Sequence, residues 1–153
     1  MKSIKDTLRR VRWSVVFGIF LVLLLIILVF VSINTFPPAY KGEGDIVMRS
    51  WLEPQKTKLN GDSNVWVEIK NRGENIHIVD VKAVTSSSEV VFDDSKGREV
   101  NKTVQIGPGE SRRVPFHINV NARYEGDYRI DVFVIYDNIQ VSYDLYLQIK
   151  KRF

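Results

Sequence analysis

Two hydrophobic periods divide this chain. Residues 14–33 read SVVFGIFLVLLLIILVFVSI, 20 positions without a charge, 17 of them Val, Leu, Ile or Phe. At about 1.5 Å per residue, such a helix matches the roughly 30 Å hydrocarbon core of a bilayer. It has no polar face to turn toward water, and a transmembrane helix over residues 14–33 is the expectation. From Asp45 onward the period is two. Val65, Val67 and Ile69 alternate with Trp66, Glu68 and Lys70, and Val100, Lys102, Val104 and Ile106 form a weaker stretch. Val114 to Val120, Tyr128 to Tyr136 and Ile139 to Ile149 repeat the pattern. Alternation of this kind predicts half-buried strands facing one core. Ile46, Met48 and Trp51 mark an opening strand and Val90 to Phe92 a short one. Between Ile76 and Ala83 the phase slips at Ile78–Val79, which predicts a bulge.

Turn residues fall between these runs: Asn60-Gly61-Asp62, Asn71-Arg72-Gly73, Gly107-Pro108-Gly109 and Asp137-Asn138. The last pair has the two-residue length of a tight hairpin. Seven or eight short antiparallel strands without a soluble helix predict an all-β sandwich of two sheets. Its core is expected to hold Trp51, Trp66, Phe92 and Phe116, with Trp66 out of phase with its neighbours. The division of the chain is then a basic segment 1–13, the span 14–33, a linker 34–44 containing Pro37-Pro38, and the sandwich 45–153.

Charge sets the orientation. Lys2, Lys5, Arg9, Arg10 and Arg12 precede the span against the single acid Asp6, and short basic flanks remain cytoplasmic. The sandwich is therefore expected outside the cytoplasm, at the cell surface or in a pseudoperiplasm. Ile4, Leu8 and Val11 give the basic segment helical spacing suited to the lipid surface. A cleaved signal would have a shorter apolar run and a small-residue site. Here the run is long and Asn34-Thr35-Phe36-Pro37-Pro38 follows, so the segment reads as a retained anchor. The whole chain carries 22 basic and 18 acidic side chains; without the five basic and one acidic residue of segment 1–13, 17 of each remain. A neutral outer domain offers little counterion-release affinity, which excludes nucleic acid as partner. Without cysteine, disulfides and thiolate chemistry are excluded too.

Four features together resemble a known module: the strand ending in Asn71-Arg72-Gly73, the turn Ile106-Gly107-Pro108-Gly109-Glu110, the alternating Val114–Val120, and Glu125-Gly126-Asp127-Tyr128 leading to Tyr136-Asp137. Residues 45–149 resemble the immunoglobulin-like modules of the CARDB and NEW3 type found in archaeal and bacterial surface proteins. That resemblance implies an immunoglobulin-like sandwich acting as a spacer, adhesion element or accessory domain without catalysis, and leans toward an archaeal source. In architecture alone, a single anchor before such a sandwich is also similar to stator subunits of the archaeal flagellum, which contact the surface layer.

The candidate chemistry is sparse. His77 and His117 alternate with Ile76, Ile78, Phe116 and Ile118, so both are expected on outer faces, and no metal or other cofactor is expected. Asp93-Asp94-Ser95 lacks the spacing of a calcium loop. Glu125 and Asp127 have no nucleophile beside them, and Ser86-Ser87-Ser88 and Ser111 lack a nucleophile elbow; catalytic residues are not expected. Asn101-Lys102-Thr103 is an N-x-T sequon, making Asn101 a glycosylation candidate. Phe133 and Tyr146 fall on the phase opposite to the core, and with the basic end Lys150, Lys151 and Arg152 they form the candidate interface. Tyr124, before Gly126, is the candidate corner tyrosine. The expectation is a non-enzymatic, single-pass surface protein whose partners are the lipid bilayer, another membrane or cell-surface protein, and a further copy in a homo-oligomer. The alternative is a small accessory subunit of an integral-membrane complex working through its helix.

Overall fold

A computed structural model describes residues 13–35 and 38–151, with helical side chains placed for residues 16–28. The basic segment up to Arg12, Phe36, Pro37 and Arg152 lie outside the described residues. The chain divides into two compact units at the Phe36–Pro37 bond.

The first unit is the helix α1, Trp13–Thr35, 23 residues long, about 34 Å at 1.5 Å per residue. Its sequence is mostly Val, Leu, Ile and Phe with a single glycine and no internal proline, and the helix ends at Thr35, before Pro37. Every side chain from Val16 to Leu28 is exposed. Among the described residues no helix is long and apolar enough to cross a membrane. The expected span 14–33 falls within α1, and its side chains before Val16 and after Leu28 lie outside the described residues.

The second unit holds nine strands: β1 Ile46–Glu53, β2 Lys56–Lys58, β3 Asp62–Asn71, β4 His77–Thr85, β5 Val90–Phe92, β6 Glu99–Ile106, β7 Ser111–Val120, β8 Gly126–Tyr136 and β9 Ile139–Lys150. One sheet has the order β1-β3-β7-β5, the other β2-β9-β8-β4-β6. All pairs are antiparallel except β2 beside β9. Seven or eight antiparallel strands were the expectation; the additional, parallel one is β2. The opening strand leaves the first sheet at the cis bond Glu53–Pro54, where a residue without an N–H cannot continue the ladder, and resumes in the second sheet. Three residues are too few for a period to show.

Inward phases of both sheets meet in one core. Ile46, Met48, Val65, Val67, Ile69, Phe116 and Ile118 face Val79, Val81, Ile130, Val132, Val134 and Leu147, all buried. Phe92 and Phe116 pack edge to face, centroids 6.3 Å apart. Asp137 and Asn138 take φ of 45° and 66°, the pair of positive values that a two-residue turn matched to strand twist requires.

Three expectations are corrected. Trp51 and Trp66 are not in the core: Ile46, Met48, Ser50 and Leu52 take the inner phase of β1 and Val65, Val67 and Ile69 that of β3, leaving both tryptophans half-buried on the outer face. In β4, His77 is buried while Ile76 and Ile78 are exposed, Ile78 at 67%. Hydrophobicity misassigned this phase because the buried imidazole has two carboxylates to bond, Asp137 and Asp45. With His77, Val79 and Val81 all inward, no slip remains. The register of β4 on β6 runs unbroken from His77↔Ile106 to Val84↔Glu99, and no bulge forms at Ile78–Val79.

Truncating Phe116 to Ala removes a wholly buried ring from the contact between the sheets. The denaturant midpoint is expected to fall by the equivalent of about 3–5 kcal/mol with the slope m unchanged.

Candidate binding face and its ionic row

Three adjacent strands stack their outward residues in rows across the four-stranded sheet. The register Arg49↔Glu68↔Arg113 places one carboxylate between two guanidiniums, and Trp51↔Trp66↔Pro115 forms the row beside it. Such outward alternation, in phase across β1, β3 and β7, follows directly from the two-residue period. Arg49 NH2 donates to both Glu68 oxygens at 3.0 Å, and Arg113 Nε donates to Oε2 at 2.8 Å. The Tyr40 hydroxyl, from the segment leading into β1, donates to Oε1 at 2.5 Å. The Glu68 side chain is only 8% exposed although it stands on an outer face.

Burial on its own would raise the Glu68 carboxyl. The bonds from Tyr40, Arg113 and Arg49 outweigh that effect and hold it at about 2, below the usual 4.5. Burial, and then the bond to Glu68, push the Tyr40 hydroxyl above its ordinary value, so it remains a donor. The rings complete the cluster. Trp51 and Trp66 stack at 6.5 Å. The Arg49 guanidinium lies 4.6 Å from the Tyr40 ring and 5.8 Å from Trp51, and Arg113 lies 5.7 Å from Trp51. Two donors remain without partners, Arg49 Nε and Trp66 Nε1, both buried. Arg113 is 61% exposed. The face thus combines ordered rings, an accessible guanidinium and unpaired donors, an arrangement suited to recognising acceptor groups rather than to bond making.

The sequence marks none of these as a binding residue; it placed Trp51 and Trp66 in the core, with only Trp66 out of phase. The remaining signal was the pairing of Arg49 and Trp51 at i, i+2 with Glu68 and Trp66, which becomes readable once the register is known.

A second cluster secures the pole where the chain enters the sandwich. His77 Nδ1 lies 2.6 Å from Asp137 Oδ2 and Nε2 lies 3.3 Å from Asp45 Oδ2. The Asn71 side chain accepts from the Gly73 N–H and donates to the Asn75 carbonyl. A Cβ at Gly73 would stand 2.3 Å from the Asp45 carboxylate, so the glycine is what admits Asp45 to this cluster. Tyr40, Lys41 and Glu43 of the expected linker 34–44 are bonded to the sandwich. Lys41 pairs with Met48 through two backbone bonds, and the Tyr136 hydroxyl donates to the Glu43 carbonyl.

The sequence-derived candidates are scattered. Phe133, half-buried, and Tyr146, 51% exposed, stand on the outer face of the five-stranded sheet, two rows apart with the Asp131↔Asp144 row between them. Lys150 closes β9, and the Lys151 N–H donates to Glu125. Asn101 is exposed in β6, opposite Lys82. His117 is half-buried on the outer face of the four-stranded sheet, bonded to Asn64 and near Asp93. Asp94 pairs with Lys102 instead. Among the described residues no three His, Asp or Glu side chains gather as a metal site.

The comparisons bear on the frame. No family model matches the chain, and no curated protein does. The solved structure of native alpha-2-macroglobulin from Escherichia coli, from domain MG7 to the C-terminus, superposes at a TM-score of 0.56 with 13% identity. It matches 71% of this chain and 17% of that one. A FixG-related protein from Vibrio parahaemolyticus superposes at 0.54 with 10% identity, matching 71% of this chain and 99% of that one. The fold is an immunoglobulin-like sandwich. A CARDB domain from Pyrococcus furiosus, solved with di-metal ions, is similar over 73% of this chain at 19% identity. Its TM-score of 0.47 carries no argument for that module.

Within the immunoglobulin-like frame the corner tyrosine is Tyr128, not Tyr124. The Tyr128 hydroxyl donates to the Tyr124 carbonyl four residues upstream and to Glu89. Tyr124 itself is 75% exposed. Position ahead of Gly126 favoured the wrong ring, because the corner bond is made from inside the strand back to the loop.

Because the Glu68 carboxyl sits lower in the folded chain than in the unfolded one, its stabilising effect is complete above about pH 4.5 and is lost as pH falls toward 2. The Glu68→Gln variant is expected to be less stable at pH 7 by roughly 2–3 kcal/mol. The stability curves of the two proteins should converge between pH 4.5 and 2, as urea midpoints taken across that range would show.

Proposed function

We propose that the chain is a non-catalytic, membrane-anchored binding module. On this reading its amino terminus is cytoplasmic, and its immunoglobulin-like sandwich stands outside as part of a cell-surface or membrane assembly. The observation that carries the reading is the outer face of β1, β3 and β7. Aromatic and guanidinium groups are ordered there by Glu68; Arg113 is exposed, and the unpaired Arg49 Nε and Trp66 Nε1 lie buried within the face. The partner is a protein surface rich in acidic and carbonyl acceptors, matched to that donor excess. Anchoring is supported by the uncharged 20-residue run, by the helix that contains it and by the basic residues ahead of it. Phe133 and Tyr146 stand on the opposite sheet, whose strand β9 ends at Lys150; with Lys151 and Arg152 they are proposed as secondary contacts. Asn101 remains open to glycosylation. An intact mass that drops by one glycan in Asn101→Gln, from protein made in the native host, is the expected result.

A second reading, an accessory subunit working through its helix, draws on one feature of α1. Gly18 leaves a shallow notch bordered by Ile19, Val22 and Leu23, of the kind that allows close helix approach.

The test is co-purification from native membranes in mild detergent. Membrane fractions washed with carbonate should retain the chain. Wild-type protein should bring down a stoichiometric partner, with Arg113→Glu and Trp51→Ala reducing recovery by about tenfold or more. Loss with Gly18→Leu and full recovery with the other two would transfer the interaction to the helix. Extraction by carbonate alone would remove the anchor.

A further inference from the structure

In the segment leading into β1, Lys41 is bonded to Met48 through the backbone, and the preceding Tyr40 lays its side chain on the proposed binding face. Ala39 and Lys41 to Gly44 are exposed, and only Tyr40 is drawn down onto the sheet. Its ring covers the Arg49 guanidinium at 4.6 Å and its hydroxyl donates to Glu68 Oε1 at 2.5 Å. Beneath that ring Arg49 keeps a buried Nε with no partner. The segment also contains Gly42 and Gly44 at φ of 129° and 87°, a backbone that few other residues adopt. Tyr40 stands five residues beyond Thr35, the end of α1.

The geometry points to a tyrosine socket: Arg49, Glu68 and Arg113 form a seat for a phenol ring, filled in cis by Tyr40 and open to a tyrosine of an acidic partner segment once Tyr40 lifts away. The seat has the two components that a tyrosine side chain requires. Glu68 supplies a carboxylate acceptor at hydrogen-bond distance, and Arg49 supplies a cation against the ring face. A phenylalanine satisfies only the second. The acidic flanks follow from charge. Arg113 uses its Nε on Glu68 and is otherwise exposed, and Lys70, two residues along β3 from Glu68, shares its outer phase. Carboxylates on either side of an incoming tyrosine would meet these cations. Tyr40 therefore competes with the partner, and its removal uncovers both the acceptor and the unpaired Arg49 donor.

The inference rests on the proposed binding function and names the chemistry of its partner. It is tested with purified full-length chain in mild detergent and fluorescein-labelled peptides of sequence DEYED and DEFED, read by anisotropy. Tyr40→Phe, which keeps the ring and loses the latch bond, should bind DEYED about tenfold more tightly than wild type. DEFED should bind that variant about tenfold more weakly than DEYED does. Adding Arg113→Glu should remove the binding. Circular dichroism of Tyr40→Phe should match wild type, which shows that the gain comes from the uncovered seat. Equal affinity for the two peptides, no peptide binding, or no gain in Tyr40→Phe would overturn the socket. If that happens while Arg113→Glu still abolishes partner recovery from membranes, the binding face stands and only the tyrosine seat falls. If the peptides behave as expected and recovery is unaffected, the seat stands and the natural partner binds elsewhere.

Discussion

Placing a carboxylate out of water on the solvent side of a sheet is unfavourable unless its lone pairs are claimed, and Glu68 meets that condition in full. Two guanidiniums from flanking strands and one phenol converge on it, and each donor is itself located by the convergence. Arg49 is fixed between Tyr40 and Trp51, Arg113 leans over Trp51, and Trp51 rests on Trp66. The row also joins β1 and β7 through β3, so the outer face is tied crosswise by side chains as well as by the backbone ladders. With Glu68 neutral or absent, two like charges would face each other across an empty position.

That constraint links fold to function because the core is formed elsewhere. The inner phases of the two sheets supply the hydrophobic burial, which leaves the outer phase of the four-stranded sheet free to carry a specialised surface. The segment before β1 belongs to the same arrangement. It enters at the pole held by Asp45, His77 and Asp137, pairs briefly with Met48, and delivers Tyr40 to Glu68. What reads in the sequence as a spacer is, from Tyr40 on, part of the domain.

Much of this frame was legible from period alone. The strands β3, β7, β8 and β9, the Asp137-Asn138 turn and the two-sheet layout all follow from alternation broken by turn residues. What stayed hidden depended on partners distant in sequence. Trp51 reads as core because tryptophan is apolar, and its outward position depends on Arg49, Arg113 and Trp66 being ready to pack around it. His77 reads as exposed because histidine is polar, and its burial depends on Asp45 and Asp137, 32 and 60 residues away. Tyr128 was passed over as corner tyrosine in favour of Tyr124, which precedes the glycine at the same spacing. In each case residue type suggested one face and long-range pairing chose the other, which is how tertiary context overrides local pattern. The binding face could be read no earlier than the register, since Glu68 is unremarkable until it is known to lie between two arginines.

The central claim is the ionised, three-donor state of Glu68 on an outer sheet face. Its most direct measurement is an NMR pH titration of the side-chain carboxyl carbon of Glu68 in the folded protein, assigned by comparison with Glu68→Gln. The account predicts an ionised signal through the ordinary glutamate range, turning only toward a midpoint of about 2. A midpoint near 4.5 with the protein still folded would mean that Tyr40, Arg49 and Arg113 do not converge on this carboxylate, and would contradict the account.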